Sequence, residues 1–194
     1  MFNKEKSKAV DTVNTGLSMG TGAASAVKGG GVFTVECRDA DGNLKWEAKK
    51  HNLVVNVGLQ DMNAKYFLGS SYTAAWYLGL YGAAASNNPA ASDTMSSHAG
   101  WTEVTGYSQS TRPACSFGSA TAADPSVITN SGSPATFSIN ATATVGGAFL
   151  TSDNTKSGTS GILFSAADFG SPGDRSVVSG DTLTVTYTFS LDAV

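Results

Sequence analysis

The stretch Thr182-Leu183-Thr184-Val185-Thr186-Tyr187-Thr188-Phe189-Ser190-Leu191 decides the fold. Every odd position is apolar and every even one is Thr or Ser. A period of two sends the two sets to opposite faces of a β-strand, and no helix produces it. Residues Thr136 to Val145 repeat the pattern, with Phe137, Ile139, Ala141, Ala143 and Val145 facing one way and Thr, Ser or Asn the other. Between these two runs, Ala148 to Thr151 and Ile162 to Phe164 read as further short strands separated by Gly/Ser/Thr-rich turns.

The first half extends the same architecture. Phe33, Val35 and Cys37 alternate with Thr34, Glu36 and Arg38, then Asp41-Gly42-Asn43 supplies turn chemistry, and Leu44, Trp46 and Ala48 alternate again. This predicts a hairpin. Asp39, Asp41 and Asn43 are also spaced like the opening of a calcium loop, but the twelfth position is Lys50 instead of the glutamate that completes one. The period then changes: Leu59, Met62, Tyr66 and Phe67 fall three and four residues apart. That predicts one helix over Asn56–Leu68, with Asn56 as N-cap, Gly69 beyond the end and the apolar stripe packed on a sheet. Ala74 to Tyr81 reads as an apolar strand buried on both faces or at an interface. The loop after it, Gly82 to Gly100, is long for a compact domain, and such loops are usually functional or bound to a partner.

Residues 1–31 differ from the rest. They are rich in Lys, Ser, Gly and Ala and end in Gly29-Gly30-Gly31, the composition of a flexible arm with a hinge. Val10, Val13 and Leu17 form a short apolar stripe, which Gly16, Gly20 and Gly22 weaken as a helix by about 1 kcal/mol each relative to alanine. The expected organisation is an arm over 1–31 and a body over 32–194. The expected fold is all-β, an antiparallel β-sandwich or jelly-roll-like body with one short helix.

Composition bounds the function. Of 194 residues only 14% are charged and the net charge is -3, which leaves no basic footprint for nucleic acid. No apolar run is long enough for a membrane-spanning helix, and Lys4, Lys6 and Lys8 are not followed by the apolar core of a signal peptide. Two cysteines, Cys37 and Cys115, are too few for a metal cluster and too far apart for a redox motif. They read as two small buried residues, with a disulfide as the alternative.

The inventory of catalytic groups is thin. Of the two histidines, His98 adjoins Ser97 and follows Asp93, but neighbours in sequence make a poor nucleophile and base. The glycine-rich stretches lack the Lys-Ser/Thr ending of a phosphate loop. No catalytic residue, metal ligand or cofactor is therefore expected. Two features point to contact instead. The strand faces made of Thr, Ser and Asn carry almost no charge, whereas a free sheet face is usually protected by Lys and Glu. The aromatic residues Trp76, Tyr77, Tyr81, Trp101 and Tyr107 flank the long loop, where they can pack in the core, serve a subunit interface or form a platform for sugar rings.

Several phrases resemble a family of tailed-bacteriophage and prophage structural proteins. They are Asn52 to Leu59, Gly69 to Leu80, Asp93-Thr94-Met95, His98 to Val104, Ala141 to Leu150 and Gly180 to Leu183. The likeness spans most of residues 44 to 190 and leaves out the arm. It implies a non-enzymatic virion component similar to capsid decoration, or cement, proteins: a β-rich homotrimer, made in the host cytoplasm, that binds the major capsid protein and stabilises the head. On that reading Phe2, Lys4, Lys6, Lys8, Val10, Val13 and Leu17 are the capsid-docking arm and the five aromatic residues are interface candidates. The alternatives are a head-fibre or tail module that binds host carbohydrate, or a tail or neck component.

Overall fold

The computed structural model describes residues 26–72, 75–82, 88–170 and 173–193. Within these the chain is an antiparallel β-sandwich with one helix. Sheet A is built on β1 (Val27–Arg38) and β12 (Thr182–Ala193), paired over twelve residues from Val27 opposite Ala193 to Arg38 opposite Thr182. β2 (Leu44–His51) closes one side on β1. On the other side, β6 (Ser126–Thr129) and β7 (Ala135–Ser138) lie end to end along β12. Sheet B has the order β3 (Leu53–Val54), β10 (Leu163–Asp168), β9 (Gly147–Thr151), β4 (Tyr77–Gly82) and β5 (Thr102–Glu103). β8 (Ala143–Val145) and β11 (Arg175–Val177) form a separate pair.

The alternation in β12 is realised residue by residue. Leu183, Val185 and Tyr187 are fully buried and Phe189 nearly so, facing Leu78, Leu80, Ala148 and Leu150 of sheet B across the core. The Thr/Ser set between them is half-buried on the outer face. β4 and β9 are buried on both faces, because the far side of sheet B carries a second apolar layer. There Met95 of the long loop and Trp101 just beyond its end pack with Tyr81, Phe149, Leu163 and Ala166. The described part of that loop is thus a cover for sheet B.

The hairpin forms as expected, and its turn is closed by Asp39. That carboxylate accepts the backbone N–H groups of Asp41 and Asn43 at 3.0 and 2.8 Å and the Asn43 side chain at 3.1 Å, with Gly42 at φ +85°. The Asn43 contacts hold the Asp39 pKa below its ordinary value.

Four expectations need correction. Gly29-Gly30-Gly31 is a strand segment of β1, opposite Leu191, Ser190 and Phe189, so the body begins at least as early as Val27. Close approach accounts for Gly31, where a Cβ would lie 2.6 Å from the Tyr187 hydroxyl, but not for Gly30, where it would meet nothing within 4 Å. The Thr136–Val145 run is two strands, because the chain leaves sheet A after Ser138 and Ala141 is exposed. The helix α1 (Asn56–Phe67) exists, but Val55 is its N-cap residue and no side chain caps it. Finally, its apolar stripe is packed only in part: Met62 meets the core, while Leu59, Tyr66 and Phe67 stay exposed. Gly58 is its one buried residue, seated where a Cβ would come within 2.5 Å of the Phe164 carbonyl oxygen. The glycine face lets the helix backbone touch β10, and this turns Leu59, Tyr66 and Phe67 outward.

Candidate functional site

The five aromatic interface candidates separate into two groups. Tyr81, Trp101 and Tyr107 are 0%, 4% and 1% exposed. Tyr81 and Phe149 each lie 5.1 Å from the Trp101 ring, and Tyr107 meets Phe137 edge-on at 5.0 Å. These three hold layers of the body together and present no surface to a sugar or to another subunit. Trp76 and Tyr77 are half-buried. Trp76 packs edge-on against Phe164, donates its indole N–H to the Tyr72 hydroxyl at 3.0 Å, and lines an apolar crevice of about 190 Å³ with Met62, Phe117 and Phe189. The arm residues Phe2, Lys4, Lys6, Lys8, Val10, Val13 and Leu17 lie outside the described residues.

The loop that carries His98 is organised around Trp101. The imidazole stacks on the indole at 3.8 Å and its Nδ1 contacts the Trp101 carbonyl at 3.0 Å. The Asp93 carboxylate accepts the Trp101 indole N–H at 3.1 Å and the Ala90 amide at 3.0 Å. His98 and Asp93 are therefore both turned to Trp101, and no hydrogen bond links either of them to the Ser97 hydroxyl. Cys37 and Cys115 are free and buried. Burial pushes the Cys37 thiol up to about 11, reinforced by the neighbouring Asp181 carboxylate, and pushes Cys115 up to about 12, so neither is a nucleophile near neutrality. Among the described residues no three His, Cys, Asp or Glu side chains are grouped to hold a metal ion.

Sequence reasoning missed the most buried charge. Arg112, in a Ser/Thr/Pro-rich connection, is 1% exposed. Its guanidinium donates to Glu103, to the carbonyls of Asp153 and Gly158, and stands 5.3 Å over the Phe149 ring. A small cavity of about 150 Å³ lies beside it, against His98 and Trp101. With its donors engaged by the protein, Arg112 ties the 152–161 connection to β5 and offers little to a ligand.

Two surfaces are left for contact. The outer face of sheet A presents Thr34 beside Thr186 and Val32 beside Thr188, with Thr184 beside Thr136 and Ser190 beside Gly30. The Thr129 and Thr188 hydroxyls are 3.0 Å apart and bonded to each other. Charge borders this Thr/Ser row: Glu36 and Arg38 of β1 stand opposite Thr184 and Thr182, Glu47 and Lys49 of β2 stand opposite Glu36 and Thr34, and at the far end Lys28 stands opposite Asp192. The second surface is apolar and surrounds α1, where Tyr66 and Phe67 are 82% and 75% exposed. No helix is long and apolar enough to cross a membrane among the described residues. No family profile, curated protein or solved structure matches this chain.

Proposed function

We propose that the chain is a non-enzymatic structural protein of a tailed-phage particle, a decoration protein that binds the major capsid protein and stabilises the head as an oligomer. One observation carries this reading: the outer face of β12 is an uncharged row, Thr182, Thr184, Thr186, Thr188 and Ser190, widened by Thr34 of β1, Thr129 of β6 and Thr136 of β7 beside it. Along this row the side chains are short, with little rotamer entropy to lose and no charge to desolvate, while the charged residues stand around its border. It can therefore lie flat against another protein at low cost. Each hydroxyl contact is weak, and adhesion comes from area and from repetition across many equivalent sites. The side chains around His98 support the same reading, because they are committed to holding Trp101.

The test uses purified heads that lack this protein. Added full-length protein should saturate a fixed set of sites in an electron-microscopy map and raise the temperature at which heads open. A Thr34→Glu/Thr186→Glu variant should keep its fold and fail to bind. Binding by that variant as tight as the parent would overturn the assignment of the face, and density in the tail alone would overturn the decoration role.

A further inference from the structure

The apolar surface at α1 has a defined shape. The inner face of sheet A outruns sheet B, because β1 and β12 pair over twelve residues while the longest strands of sheet B have six. At the overhanging end, the side of the sheet that buries Phe33 and Val35 continues through Phe189 and Leu191 to Val27. Leu59, Met62, Tyr66 and Phe67 of α1 form the opposite wall, and between them runs a groove of about 680 Å³. Val27 is 73% exposed, Leu59 49% and Leu191 36%. The exposed parts of Tyr66 and Phe67 alone amount to about 300 Å² of aromatic surface. That is as much as the whole of the largest apolar patch on many monomers.

We propose that this groove is the seat of the chain's own N-terminal segment, with Val10, Val13 and Leu17 packed against Leu59, Tyr66 and Phe67 of the same molecule. Position is the first argument. Val27, where β1 starts, is itself a groove residue, so the preceding chain arrives at the groove mouth. Length is the second. Nine residues, Ser18 to Ala26, separate Leu17 from Val27 and are mostly Gly, Ala, Ser and Thr. A flexible linker of that length spans about 17 Å on average. The twelve-residue helix is about 18 Å long. Matched reach gives an effective concentration in the millimolar range, far above that of a second copy at micromolar protein. Chemistry is the third. Val10, Val13 and Leu17 are spaced three and four apart, so a helical turn presents them on one side to an apolar wall. The inference concerns the free protein and goes beyond the decoration role without depending on it.

The experiment is cross-linking in the full-length chain. Leu59→Cys is combined in turn with Val10→Cys, Val13→Cys and Leu17→Cys, and with Lys4→Cys as the control. Native Cys37 and Cys115 are buried and do not compete. Under mild oxidation at least one apolar pair should form a disulfide within one chain, several-fold faster than the control. In parallel, Val13→Asp/Leu17→Asp should speed hydrogen exchange of the Met62–Phe67 amides at least tenfold. Links formed only between chains would assign the groove to a second copy and overturn the proposal. Equal rates for all pairs, or exchange unchanged by the double Asp variant, would overturn it as well.

Discussion

Arg112 grips Glu103 at both carboxylate oxygens, Nε to Oε1 at 2.9 Å and Nη2 to Oε2 at 2.8 Å, with side chains 0% and 6% exposed. Removing one partner leaves a buried charge without compensation, which typically costs about 3–5 kcal/mol. Arg112→Met should therefore lower stability by that order in urea unfolding. The double variant Arg112→Met/Glu103→Leu should recover a substantial part, since it removes the stranded carboxylate. It will not recover everything, because the carbonyls of Asp153 and Gly158 also lose their donor. A double variant no more stable than the single would mean that the pair is not coupled.

The glycine triplet distinguishes a strand from a hinge by two neighbouring substitutions. A Cβ on Gly31 meets the Tyr187 hydroxyl oxygen at 2.6 Å, whereas one on Gly30 meets nothing within 4 Å. Gly31→Ala should destabilise the body by about 1–3 kcal/mol through overpacking. Gly30→Ala should be neutral or slightly stabilising, since it restricts only the unfolded chain. Thermal unfolding of the two variants checks this; equal midpoints would place the triplet outside the packed sheet.

What was readable in the chain depended on the range of the interaction. The faces of β12 could be read because a two-residue repeat reports directly which side is buried. The presence of α1 was readable for the same reason, but its orientation was not. The usual rule places the large apolar stripe inward, and here Gly58 took that side because a bare backbone fits against Phe164. Trp101 carries no periodic signal, and its burial follows from a loop folding over sheet B, whereas Tyr81 ends an apolar run that already read as a strand buried on both faces or at an interface. Arg112 is the extreme case. Its partners lie 9, 41 and 46 residues away, so nothing local marks a buried cation.

The two thiols give a pH dependence with a definite sign. An unfolded cysteine ionises near pH 8.5, whereas burial raises Cys37 to about 11 and Cys115 to about 12. Below about pH 8.5 both states hold these protons, and the thiols do not change stability. Above it the unfolded chain releases protons that the folded chain keeps, so stability falls as pH rises toward 11. The buried Tyr81, Tyr107 and Tyr187 hydroxyls are shifted upward too and steepen the loss above about pH 10. The urea midpoint should therefore decline from pH 8.5 upward, and Cys115→Ala should flatten the decline while lowering the midpoint at pH 7. Correspondingly, a thiol reagent at pH 8 should label neither cysteine in the native protein and both in denaturant.

Asn130 completes a ladder that the strands leave open. It lies in the gap between β6 and β7, fully buried, and treats β12 as a strand would. Its Oδ1 accepts the Tyr187 amide at 2.7 Å and its Nδ2 donates to the Val185 carbonyl at 3.2 Å. Asn130→Asp keeps the shape but replaces the donor with an oxygen facing a carbonyl. It should lower stability by about 2–4 kcal/mol near neutral pH, with recovery in acid once the carboxyl protonates. Asn130→Ala loses both contacts but buries no charge, and should cost less at pH 7. Unfolding of both variants at pH 5 and 7 separates the contributions; an Asp variant insensitive to pH would show that the side chain does not face the ladder.

Tyr187 ties the two sheets together through a polar network in an otherwise apolar core. Its hydroxyl accepts from Asn52 Nδ2 at 2.8 Å and from Ser165 Oγ of sheet B at 3.2 Å, while Asn52 Oδ1 accepts the Gly31 amide at 2.6 Å. The Tyr187 ring lies 4.7 Å from Phe33 and contributes packing of its own. Tyr187→Phe keeps that packing and removes only the hydroxyl, so its cost isolates the network. Two donors, one on fully buried Ser165, then lose an acceptor, each worth about 1 kcal/mol or more. The expected loss is about 2–3 kcal/mol. Ser165→Ala in the Tyr187→Phe background should recover part of it, because it deletes one of the stranded groups, whereas in the parent it should destabilise. A double-mutant cycle by urea unfolding measures this change of sign, and strictly additive effects would show that the hydroxyl and Ser165 act independently.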